Sequence, residues 1–188
     1  VSDQVLHIDL IALGDHTSAE GRATLMNAAA SLIGLDPVLE VGVIEGTEES
    51  SDYDLAVYFL LDGFESLEPF GTDPQYSQFL QGAVAPVLRG FAGADVKLET
   101  DFQMIEGPAA CMAIAAPEET YDWEVREALE TWTQTLRPRA VAIGVAVGER
   151  QRYRGAGIAF GGDALAAVRP PDSPFSTTLI CGQARRLA

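Results

Sequence analysis

Apolar and polar residues alternate along Val5–Leu13 (VLHIDLIAL). Leu6, Ile8, Leu10 and Ala12 fall on one face of a strand, and Val5, His7, Asp9, Ile11 and Leu13 on the other. The period then lengthens. Thr17 and Glu20 have the spacing of a capping box, and Leu25, Met26, Ala29, Leu32 and Ile33 recur at helical intervals as far as Ser31–Gly34. Strands are predicted next over Val38–Glu45 and Tyr53–Leu61, joined by the acidic GTEESSD, which reads as an exposed turn. A short helix near Phe64–Leu67 and a second from Pro74 follow, with Pro86 set to kink or shorten the latter. Asp95–Thr100 closes this half as a strand.

Beyond a connection at Asp101–Pro108 the same grammar returns. Ala109–Ala115 reads as a strand, and Thr120 or Asp122 caps a helix whose Val125, Leu129, Trp132 and Leu136 form one stripe ended by Pro138. Arg139–Val147 has a bulky face and a nearly flat one (Ala140, Ala142, Gly144, Ala146) that permits close approach of another layer. A strand at Tyr153–Phe160, a short helix at Asp163–Val168 and a strand at Ser176–Gln183 complete the order. Each half therefore reads βαββαβ, the ferredoxin-like plan. The expected architecture is α+β, with tandem units at 1–104 and 105–188 whose sheets shield one another in a barrel closed within one chain.

Composition adds an asymmetry. The chain has a net charge of −16, and residues 1–108 hold 19 acids against 3 bases, whereas residues 109–188 hold 9 of each. An acidic half repels phosphate backbones, so nucleic acid is not an expected partner. No run of about 18 apolar residues occurs, so no membrane span is expected. The start, VSDQ, lacks the basic and apolar blocks of a secretion signal. Cys111 and Cys181 each sit in an apolar strand-like run. They read as two buried free thiols, which fits a reducing, cytoplasmic setting.

The first half resembles the stress-responsive α/β-barrel domain family, which includes a plant polyketide cyclase. The resemblance rests on HIDLIAL (7–13), GLDPVLEVGV (34–43), SDYDLAVYFLLDGFESLEPF (51–70), TDPQYSQFLQGAVAPVLRGF (72–91) and ADVKLE (94–99). It implies a barrel normally built by two identical chains, so the expected state here is a monomer or a homodimer. It also implies a cavity lined by a first-strand histidine, matched by His7. The histidine that follows the proline in the family's helix phrase is replaced here by Tyr76, and Phe70 stands near the family's cavity tyrosine. The expected partner is a small aromatic or polyketide-like molecule, with no organic cofactor.

His7 and Asp9 share a strand face, so the carboxylate can orient the imidazole as a base. On this reading Tyr76 orients an enolate or phenolate oxygen. The bland alternative is that His7 is bonded within the structure, Asp9 sits at an entrance and Tyr76 packs through its ring. His16 reads as a loop residue, Trp132 as core and Trp123 as half exposed. The histidines and cysteines show no metal-ligand spacing. RQRYRGAGIAFGG (150–162) is neither a phosphate loop nor a dinucleotide fingerprint. Its Arg150, Arg152 and Arg154 alternate, and could hold an anion or pair with the acidic first half. Three functional classes follow: a cofactor-free cyclase or isomerase, a non-catalytic stress or binding protein, and a monooxygenase-like member of the same barrel class.

Overall fold

The structure, a computed structural model, describes residues 3–48, 51–100, 102–147, 152–167, 169 and 173–188. Eight strands form a closed barrel in the order β1-β3-β2-β8-β5-β7-β6-β4. The first unit comprises β1 (Val5–Leu13), α1 (Ala19–Ser31), β2 (Val38–Gly46), β3 (Leu55–Leu61), α2 (Leu67–Thr72), α3 (Pro74–Gln78) and β4 (Leu88–Leu98). The second comprises β5 (Gly107–Ala115), α4 (Asp122–Thr135), β6 (Ala140–Ala146), β7 (Gly155–Phe160) and β8 (Ser176–Arg186). The architecture is the expected α+β pair of ferredoxin-like units, closed on itself.

Several local expectations shift. Ser18, not Thr17, caps α1, its hydroxyl accepting the Gly21 N–H at 3.0 Å. Ile33 leaves the buried stripe because the helix tightens to a 3₁₀ turn over Leu32–Gly34. Tyr121 caps α4 in place of Thr120 or Asp122, and Glu124 accepts its N–H at 2.9 Å. The helix from Pro74 passes into a π-turn (Phe79–Val84) and a 3₁₀ turn (Ala85–Val87), since Pro86 supplies no N–H to continue it. β4 starts at Leu88 rather than Asp95, and β8 runs on to Arg186. β3 and β7 each begin two residues late, at Leu55 and Gly155. The helix expected at 163–168 is a 3₁₀ turn over Ala164–Ala166, and Val168 lies outside the described residues.

Both faces of the sheet are covered, which explains why β3 is buried throughout. Leu6, Ile8, Leu10, Tyr58, Ile158, Phe160 and Ile180 fill the barrel interior. Outside, α1 and the α2–α3 region cover Val5, Ile11, Val41, Val57 and Phe59, while α4 covers Ala110, Met112 and Ile114. The connection between the units is more than a tether. Its Phe102 and Met104 are buried with the interior residues, with Phe102 packed on Tyr58 and Phe160 and the Tyr58 hydroxyl directed at the Met104 sulfur. The linker thereby plugs one end of the barrel.

Two seams join the units. β2 pairs with β8, and β4 pairs with β6. Each seam depends on a glycine at its closest approach. A Cβ at Gly182 would collide with the Glu45 carbonyl, and one at Gly144 with the Lys97 carbonyl. The charge asymmetry is used here: Arg186 reaches Glu40 at 2.7 Å and Arg185 reaches Glu45 at 2.8 Å across the first seam. Arg126 with Glu99 and Arg169 with Asp52 also join basic second half to acidic first half. The GTEESSD turn is partly docked, with Ser51 and Asp52 bonded to the β8 backbone. Glu49 and Ser50 of that turn lie outside the described residues. Cys111 and Cys181 are buried and free, as expected. They sit on neighbouring strands one register step apart, one among the interior residues and one beneath α4, so they cannot pair.

Candidate functional site

The phase of β1 decides where its polar residues go. Even-numbered positions point into the barrel, so His7 and Asp9 project outward, beneath α2 and α3, where Phe59, Phe70 and Phe79 form an aromatic layer. The site is therefore between sheet and helices, and the barrel interior is packed with other side chains. Tyr76 is carried into this layer by α3, whose start is fixed by Pro74 and by Asp73 accepting the Gln75 N–H at 2.7 Å.

Three expected residues meet. His7 Nε2 lies 2.7 Å from the Tyr76 hydroxyl and 3.2 Å from Asp9 Oδ1. The Tyr76 O–H is shared between both Asp9 oxygens, 3.1 Å from each. Asp9 is fully buried, so it does not sit at an entrance, and the His7 side chain is 13% exposed. A fourth member was not anticipated. Asp95 stands opposite His7 in the β1–β4 register and its carboxylate bonds His7 Nδ1. The signal was an acid on the outward phase of a strand. Its meeting with His7 depends on strand pairing that the sequence does not spell out.

Electrostatics set the protonation. Burial pulls the His7 pKa down, but the charge and hydrogen bond of Asp9 and those of Asp95 more than offset this, raising it to about 10. At neutral pH His7 is an imidazolium with both N–H groups donating: Nδ1 to Asp95, Nε2 toward Tyr76 and Asp9. That shift favours the protonated ring, which makes His7 a donor in this arrangement. Burial, then the Asp9 charge and hydrogen bond, push the Tyr76 hydroxyl well above its usual value, so Tyr76 stays a neutral donor. The carboxylate of Asp9 is the acceptor in the cluster.

Phe70 packs 5.4 Å from the His7 ring and 4.5 Å from Tyr76, so it does occupy the wall of the site. Its far side lines a depression of about 370 Å³ together with Leu35, Pro37, Pro69 and Asp73. His16 is exposed, Trp132 is core and Trp123 is largely exposed. Arg152 and Arg154 do not share a face. Arg154 is fixed by the Glu118 and Thr120 carbonyls at 3.0 and 3.1 Å and by Asp122 at 3.2 Å. Arg152 points elsewhere, over the Tyr153 ring, and Arg150 lies outside the described residues.

No protein-family model matches the chain, and no curated protein matches it. Solved structures do. An anthrone oxidase-like protein is 10% identical, with 99% of this chain and 94% of that one covered at a TM-score of 0.63. A Lactobacillus acidophilus protein provisionally called a monooxygenase is 10% identical, with 100% and 95% covered at 0.59. The fold is that of the dimeric α/β barrels. A half-length ferredoxin-like protein of the same class from Mesorhizobium loti is 16% identical, with 53% of this chain and 98% of that one covered, at 0.43. At these identities the likeness speaks for fold alone. In this dimeric-type barrel one polypeptide supplies both sheets.

Proposed function

We infer that this chain binds a small aromatic or polyketide-like ketone against the outer face of β1 and catalyses proton transfer without an organic cofactor, in the manner of a cyclase or isomerase. The observation that carries this reading is a fully buried carboxylate, Asp9, set in an aromatic layer beside an imidazolium and a neutral phenol. Burial of Asp9 strengthens the electrostatic interactions among these groups relative to bulk solvent. Asp9 takes a proton from a carbon next to the ketone. His7 and Tyr76 donate to the oxygen that gains negative charge. The resulting enolate then closes a ring or is reprotonated elsewhere.

The substrate approaches through the depression behind Phe70, and displacement of that ring joins the depression to His7. The stress-responsive α/β-barrel resemblance supports this placement through His7, while Tyr76 in place of a histidine alters the division of labour. Incubation with anthrone or a cyclic 1,3-diketone in deuterated water tests it, with exchange at the acidic carbon followed by NMR. Asp9→Asn should lower exchange at least about a hundredfold and Tyr76→Phe about tenfold. Exchange unaffected by both variants removes the cluster from the chemistry.

A second reading has its own support: every polar group of the cluster already has a protein partner, which suits a binding protein that does no chemistry. Ligand binding with no exchange would favour it. Oxygen uptake accompanying exchange would instead place the chain with monooxygenase-like barrels, since an enolate or phenolate is also what reacts with dioxygen.

A further inference from the structure

The two ends of the barrel differ. Phe102 and Met104 close one. The other, where β1 ends and β4, β7 and β8 begin, opens into a depression of about 520 Å³. That volume is within the range of small-molecule sites. Ala12 and Gly90 leave the room, being too small to fill the mouth.

The floor is polar. Tyr53, Thr177 and Thr178 line it, and Thr178 shares a hydrogen bond with the almost fully buried Tyr153 at 2.9 Å. The rim carries Arg89, Arg152 and Arg169, three of the twelve Lys and Arg residues of a chain with net charge −16. Asp52 is the one carboxylate among the lining residues, and it is already engaged by Arg169 and by the Leu179 N–H at 2.8 Å. Asp54 and Glu48 line the adjoining hollow, and Asp54 accepts the Leu13 N–H at 2.7 Å. Among the described residues Arg89 and Arg152 form no ion pair. Two guanidinium groups with no ion pair among the described residues, set over a hydroxyl floor, concentrate positive potential in a concave site. Guanidinium forks match the geometry of planar and tetrahedral oxyanions.

We propose that this mouth binds a small molecule through its phosphate or carboxylate group, with Arg89 and Arg152 gripping the oxyanion and the Tyr53 hydroxyl donating to it. The site is separate from the His7 cluster, which lies on the outer face of the sheet. Burial and the neighbouring Tyr153 raise the Tyr53 pKa, so its hydroxyl remains a donor at neutral pH. Arg169 stays with Asp52 and holds the rim in place.

Calorimetric titration of the full chain with phenyl phosphate, benzoate and inorganic phosphate tests the proposal, and the ranking of the three tells phosphate from carboxylate and head group from body. Saturable one-to-one binding of at least one probe is expected. It should weaken about tenfold or more in the Arg89→Gln/Arg152→Gln pair and change less than about twofold in Arg137→Gln/Arg139→Gln, which removes the same charge away from the mouth. Asp9→Asn should leave the affinity unchanged, so failure here and failure of the proton-transfer reading are separable. Absence of saturable binding of all three probes overturns the proposal, as does equal weakening by both arginine pairs.

Discussion

Replacing Asp9 by Asn removes the charge that does most to keep His7 protonated, and the consequence can be worked through. The folded pKa of His7 is raised to about 10, against about 6.5 when the group is free. Its contribution to stability is therefore complete below about pH 6.5 and is lost as the pH rises through 10. At about 1.4 kcal/mol per pH unit, the stretch from pH 7 to pH 9 should cost the chain about 2–3 kcal/mol through this one group. In Asp9→Asn the midpoint should fall back toward the ordinary histidine range and that loss should shrink to a fraction of itself. Two measurements apply: the imidazole carbon-bound proton shifts of His7 followed by NMR from pH 5 to 11, and urea unfolding at pH 7 and 9 for both proteins. A His7 midpoint below about 7.5 in the unaltered chain would refute the electrostatic account. So would a pH slope that Asp9→Asn leaves untouched.

Three further outcomes are expected. Gly182→Ala should destabilise by about 1–3 kcal/mol or more, because the added carbon meets the Glu45 carbonyl in a seam, and urea midpoints would register it. Phe102→Ala should cost about 3–5 kcal/mol, as a core truncation does, whereas an ordinary linker residue would cost a few tenths; thermal unfolding distinguishes the two. Cys111 is buried, and burial together with the neighbouring Cys181 pushes its thiol up to about 12, so neither cysteine should react with a thiol reagent at pH 8 until the chain unfolds.

Alternation and helical spacing were strong enough to place all eight strands and the barrel that they close, because apolar residues on both faces of strands such as β3 require cover from an interior and from helices. Boundaries drifted where that signal thins. The first half of β4 (Leu88–Ala94) contains two glycines, and Leu88 continues the apolar spacing of the helix before it, so its strand character emerges only when β1 supplies its partners. Phe102 and Met104 lie in an irregular segment with no period to betray that they are core. At the site, His7 and Asp9 were legible as a same-face pair. Tyr76 came from the resemblance and the Asp-Pro helix start. Asp95 was not legible, since its role arises from cross-strand register, and neither was the protonation of His7, which follows from having two carboxylates instead of one.

The outward positions of β1 include a histidine and an aspartate, while those of β5 are Ala110, Met112 and Ile114, sealed under α4. A barrel assembled from two identical chains would carry its outer-face site twice, and occupancy of one could tune the other. Here the sheet that faces β1 across the barrel has no such pair to offer. Saturation should therefore stop at one equivalent per polypeptide for this face, along a simple hyperbola.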